Sequence, residues 1–162
     1  MKRRMNGEEN SNKSLDQVLD EYEKSTGLNL KVNLDEIEIY LNLTREQMEG
    51  YTSEGCAQIA LRLIQYSLLI QKWYNREKAK INWAEHQIDA MVATKWKNYS
   101  DYTPRGVKIQ NIAHENPMLQ KILEIKKQAS IRAQELDSLS YLIKYYAETM
   151  NMLGRAKWQN KI

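Results

Sequence analysis

Two stretches of three- and four-residue apolar spacing, separated by a single break, limit what this chain can fold into. From Cys56 to Tyr99, Ile59, Leu63, Tyr66, Ile70 and Trp73 recur at helical steps, and Ile81, Ala84, Ile88, Met91 and Lys95 continue them. A second series begins near Pro117, a residue suited to a first helical turn. It runs through Leu119, Ile122, Ala129, Ala133, Leu136, Ile143, Ala147 and Met150 to about Trp158. Both series approximate heptads, interrupted at Glu77, Lys126, Ser140 and Gly154. At 1.5 Å per residue, each stretch makes a rod of roughly 60 Å. Two such helices with one short connection are expected to fold back as an antiparallel hairpin.

A hairpin of this kind leaves apolar surface over. Leu139, Tyr141, Leu142, Tyr145, Tyr146 and Leu153 widen the second stripe, and Leu61, Leu68, Leu69, Tyr74 and Trp83 widen the first. Large exposed apolar strips are rare on monomers, so the surplus predicts an oligomer. The fold class expected is therefore all-α and oligomeric.

The region before the long helices divides less cleanly. Residues 1–13 are polar and charged and read as a disordered tail. Residues 14–50 read as an N-terminal arm with short helices, and 51–162 as the hairpin body. Ser14 with Gln17 and Thr44 with Gln47 are capping-box pairs, and "LDQVLDEYEKS" predicts a short helix stopping near Gly27. Over residues 28–43, Leu28, Leu30, Val32 and Leu34 alternate, as do Ile37, Ile39, Leu41 and Leu43. That period predicts a small β-element or an extended arm packed on a neighbour.

Catalytic signals are thin. His86 and His114 stand apart, and Cys56 is a lone thiol with no activating His nearby in sequence. Glu85 and Asp89, four apart, read as surface charge rather than metal ligands. Neither an HExxH motif nor a glycine-rich phosphate loop is present. The chain reads as a non-enzyme with no metal and no cofactor. The longest apolar cluster, "YSLLI" at 66–70, falls far short of the about 20 residues needed to span a bilayer, and the N-terminus lacks a secretory signal's apolar run. A cytoplasmic protein without a membrane role is expected, which makes the N-x-S/T sequons at Asn42 and Asn98 incidental.

The charge is uneven. Residues 1–60 hold 7 Lys/Arg against 12 Asp/Glu, whereas residues 61–162 hold 17 against 9. A body at net +8 suggests a polyanion partner; a plain solvated helix surface is the alternative. Basic and aromatic residues converge at the break, "KWKNYSDYTPRGVKIQ", where Lys95, Trp96, Lys97, Tyr99, Tyr102, Arg105 and Lys108 fall within fourteen positions. Lys72 and Arg76 form a second basic group beside Trp73 and Tyr74. Cations that track phosphates and flat rings that stack on bases are what single-stranded nucleic acid requires. Equally, Trp96 and Tyr99 can close the end of the apolar seam while Lys95 and Lys97 offset the helix macrodipole.

The order of these features resembles the UvsY family of bacteriophage recombination mediators. The resemblance lies in the Lys72-Trp73 pair opening a basic helix, the "KWKNYSD" turn at 95–101, and Arg155 in "LGRAKW" near the end of the second helix. It covers roughly residues 56–160; Asn98 and Asp101 stand where relatives have Tyr and Gly. The resemblance implies a ring-like homo-oligomer that binds single-stranded DNA. It also implies help in loading a recombinase onto DNA coated by single-strand binding protein, in host cytoplasm if the chain is phage-encoded, with DNA contact at Lys95 and Lys97. The rival reading is a coiled-coil adapter or assembly protein without nucleic-acid binding.

Overall fold

The computed structural model describes residues 14–25 and 31–160. The tail expected over residues 1–13, the helix stop near Gly27 and the first alternating residues of the arm, Leu28 and Leu30, lie outside the described residues. The chain divides into two units, Met1–Lys31 and Val32–Ile162. In the first, α1 spans Leu15–Ser25. Its start is the capping box read from sequence: the Gln17 amide donates to Ser14 Oγ at 3.3 Å and the Ser14 amide to Gln17 Oε1 at 2.9 Å. None of its residues is buried.

The second unit contains α2 (Leu34–Leu41), α3 (Arg45–Gly50), α4 (Ser53–Ala93), a 3-10 turn (Trp96–Asn98), α5 (Arg105–His114) and α6 (Pro117–Gln159). The described residues are all-α, without a strand. Over residues 34–41 this corrects the extended or β arm expected within 28–43, because those residues are helix. Asn33 caps α2 by accepting from the Asp35 and Glu36 amides, and those two acids sit where the helix dipole favours negative charge. The alternation misleads because, among its described residues, one alone is fully buried, while Val32 and Leu43 pack partly on the core from outside the helix. Ile37 is buried and Tyr40, one turn on, packs beside it, whereas Ile39 is 62% exposed.

Thr44 and Gln47 form the second expected capping box and start α3. Thr52 caps α4, and Asn116 caps α6 ahead of Pro117. Residues 105–114, expected as part of one short connection, form a ten-residue helix. Pro104 fixes the backbone entering it, and Ile112 and Ala113 then reach the core with half-buried Ile109 against them.

Contacts between α4 and α6 pair rising numbers on one helix with falling numbers on the other. Ser53 Oγ donates to the Gly154 carbonyl at 2.7 Å, Arg132 bridges Glu77 at 3.1 Å, and Lys126 bridges Glu85 at 2.9 Å. The interruptions of the heptads thus have distinct roles. A Cβ on Gly154 would lie 3.0 Å from the Ser53 carbonyl oxygen and 3.1 Å from Cys56 Cβ, so glycine permits the close approach there. Glu77 is buried and held by Lys80 at 3.2 Å as well as by Arg132. Ser140 is buried with its hydroxyl unpartnered.

Apolar burial falls into two clusters. The first joins Ile37 of α2 to Cys56, Ile59, Leu63 and Ile70 of α4 and to Ile143, Ala147 and Met150 of α6, with Val32, Leu43 and Met48 packed on it. Val32–Gly50 is thereby part of the body. The Lys157 ammonium completes this end, donating to the carbonyls of Met48 at 3.0 Å, Glu49 at 2.7 Å and Tyr51 at 2.7 Å. Those carbonyls include ones that a helix end leaves without partners. The second cluster joins Ala84, Ile88 and Val92 of α4, Ile112 and Ala113 of α5, and Leu119 and Ile122 of α6. It underlies the basic break.

Candidate nucleic-acid interface

Helix α4 ends at Ala93, and the chain tightens before it turns. The Lys95 amide donates to Val92 O at 3.0 Å, and Asn98 and Tyr99 continue with three-residue bonds to Lys95 O and Trp96 O. Ser100–Thr103 is a hydrogen-bonded turn: the Thr103 amide donates to Ser100 O at 3.0 Å, and Ser100 Oγ accepts from the Tyr102 amide at 3.3 Å. Asp101 and Tyr102 occupy the corners of that turn. With no core beneath it, the Tyr102 ring is 97% exposed.

The nine residues singled out from sequence have separate fates. Lys97 is exposed, and its ammonium makes no ion pair among the described residues. Lys95 is half-buried and paired with Glu115 at 3.4 Å. Arg105 is exposed and ion-paired with Asp89. Trp96 and Tyr99 are half-buried and packed on the second core cluster, which is the seam-closing arrangement weighed against base stacking. Lys108 corrects the expectation of a phosphate contact: it is only 3% exposed, with its ammonium 4.4 Å from the centre of the Trp96 ring. Face-on attraction between cation and ring accounts for that position and occupies both groups. Lys72 and Arg76 are half-buried on α4, each engaged with a partner. Arg76 stands about five helical turns before Lys95, roughly 30 Å. Within one chain the two basic groups are not brought together.

The accessible set is therefore Lys97 and Tyr102, flanked by Lys95 and Arg105 in ion pairs. Asp89 and Glu115 belong to this constellation and were missed from sequence. Asp89 read as surface charge beside Glu85, and Glu115 carried no motif. Only the tertiary placement of α5 sets them against cations 16 and 20 positions away.

Glu85 pairs with Lys126, whose hydrogen bond and charge hold the Glu85 carboxyl below its ordinary range. Cys56 is buried, and His86 and His114 are exposed. Among the described residues no group of three His, Cys, Asp or Glu side chains is placed to hold a metal, and no helix is long and apolar enough to cross a membrane. Against known proteins, no family, no characterised protein and no solved structure matches the chain.

Proposed function

We propose that the protein is a non-enzymatic accessory factor that binds single-stranded DNA through the turn between α4 and α5. In this reading it works as a recombination mediator, helping to load a recombinase onto strands coated by single-strand binding protein. The observation that carries the reading is the presence, five residues apart, of a cation without an ion-pair partner among the described residues, Lys97, and a ring in open solvent, Tyr102. One neutralises phosphate and the other offers a face to an unstacked base. The basic balance of residues 61–162 supports the same partner. The mediator role rests on the resemblance of "KWKNYSD" and its flanking helices to the phage family. An antiparallel hairpin of α4 and α6 would carry the turn at one end, and a ring of copies would bring several turns, and the Lys72 and Arg76 groups, onto one strand.

Intrinsic tryptophan fluorescence tests this directly. Oligo(dT) should quench it saturably, less so as salt rises, and duplex DNA should have little effect. Lys97→Ala with Tyr102→Ala should weaken binding roughly 10- to 100-fold, the loss of about one stacked base and one phosphate contact. No saturable quenching in dilute buffer would end the proposal.

A specific observation favours a second reading, the adapter. The outer face of α6 exposes Tyr141, Leu142, Tyr145 and Met152, of which Tyr141 is 71% and Tyr145 64% exposed. Such a strip suits contact with protein, including further copies of this chain. Light scattering with and without oligonucleotide separates a DNA-binding oligomer from a protein scaffold.

A further inference from the structure

We propose that Asp89 and Glu115 act as resident stand-ins for phosphate, set against Arg105 and Lys95, and so determine how tightly the turn takes a strand and at what salt. This rests on the DNA-binding reading and assigns a tuning role to two residues outside the basic motif.

Both acids are fixed by helices that cannot easily move. Asp89 follows buried Ile88 and precedes buried Val92 by three positions on α4, so its backbone is anchored in the second core cluster. Glu115 caps α5, its amide donating to Ile112 O at 3.3 Å, two residues after buried Ala113. Their cations bracket Lys97 and Tyr102: Lys95 opens the turn and Arg105 closes it. The carboxylates therefore occupy, on either side of the accessible pair, positions where the oxygens of a bound strand would otherwise meet guanidinium and ammonium groups.

Exposed ion pairs are weakly held and screened by salt, so a phosphate is able to compete for either cation. The displaced carboxylate nevertheless stays beside the strand and repels it. Two of the cations nearest the tip thus add little to counterion release while the acids are charged. Each phosphate contact on a single strand contributes a slope of about 0.7 in log affinity against log salt. Relative to a 1 M reference, that slope makes each released cation worth about fivefold in affinity at 0.1 M salt.

The test uses the full chain, oligo(dT) and a series of salt concentrations. Asp89→Asn and Glu115→Gln keep side-chain size and remove charge; Asp89→Ser and Glu115→Ala repeat the measurement with smaller groups. Glu49→Gln is the control, because it also frees a cation, Arg45 at 2.8 Å, but on α3 away from the turn. Each turn variant should tighten binding about fivefold at 0.1 M salt and steepen the slope by about 0.7, and the double variant about 25-fold with twice the steepening. Glu49→Gln should match the unaltered protein. If the protein binds and the turn variants keep its affinity and slope, the stand-in role is wrong. If Glu49→Gln tightens binding equally, only bulk charge matters and the role is again wrong. If neither the unaltered protein nor any variant binds in dilute buffer, the DNA-binding reading falls and takes this inference with it.

Discussion

Replacing Gly154 by alanine sets two calculable effects against each other. Alanine in a helix interior is better than glycine by about 1 kcal/mol, so local propensity alone predicts stabilisation. The new methyl, however, would sit 3.0 Å from the Ser53 carbonyl oxygen and 3.1 Å from Cys56 Cβ. Neither neighbour is the free end of a flexible side chain. One is backbone in the first turn of α4 and the other belongs to a fully buried residue. Overpacking of this kind costs about 1–3 kcal/mol, and separating the helices also strains the bond from Ser53 Oγ to Gly154 O, worth about 1 kcal/mol. We expect net destabilisation of about 1–2 kcal/mol, which for a chain of this size lowers the melting temperature by roughly 3–6 °C. Gly106 in α5 supplies the internal comparison, since a Cβ there meets nothing within 4 Å. Gly106→Ala should stabilise by up to about 1 kcal/mol. Urea and thermal unfolding followed by circular dichroism read both. If Gly154→Ala stabilises as much as Gly106→Ala, the α4–α6 contact at this end is looser than described and the argument fails.

Ser140→Ala should be neutral or stabilise by up to about 1 kcal/mol in the same unfolding assay, because it removes a buried hydroxyl that has no partner; a loss above about 1 kcal/mol would mean the hydroxyl is satisfied. Tyr40 provides a pH test: its hydroxyl donates to Glu36 Oε1, and that bond, followed by burial, pushes its pKa up from 10.0 to about 12. A raised folded-state pKa favours the protonated fold, so this contribution is full below about pH 10 and is lost as pH rises toward about 12. Tyr40→Phe should flatten the stability curve across that alkaline window. Equal slopes for the two proteins would refute the assignment.

The long helices were legible because periodicity and burial coincide there. Leu63, Ile70, Ile88, Leu119, Ile143 and Met150 are each both in the stripe and in the core. Both capping boxes could be read because side chain and backbone partner lie three residues apart. The alternation over 34–41 failed because a short helix with one buried residue fits a period of two as well as its own. At the turn, composition identified the right segment but could not divide it. Lys97 and Lys108 look alike in sequence, yet one faces solvent and the other lies over Trp96. That difference arises from α5, whose Ile109, Ile112 and Ala113 roll Lys108 inward. The acids opposite Lys95 and Arg105 are likewise a product of tertiary structure and leave no local trace.

The grip of Lys157 on Met48, Glu49 and Tyr51 spans 106 to 109 residues. Polypeptides are synthesised at about 5–20 residues per second, so these carbonyls emerge roughly 5–20 s before the ammonium that satisfies them. Throughout that interval the nascent α3 must leave its last turn to water or to a chaperone. Docking of α6 is then also the step that finishes α3, which makes completion of that early segment wait on a side chain 106 to 109 positions further along the chain.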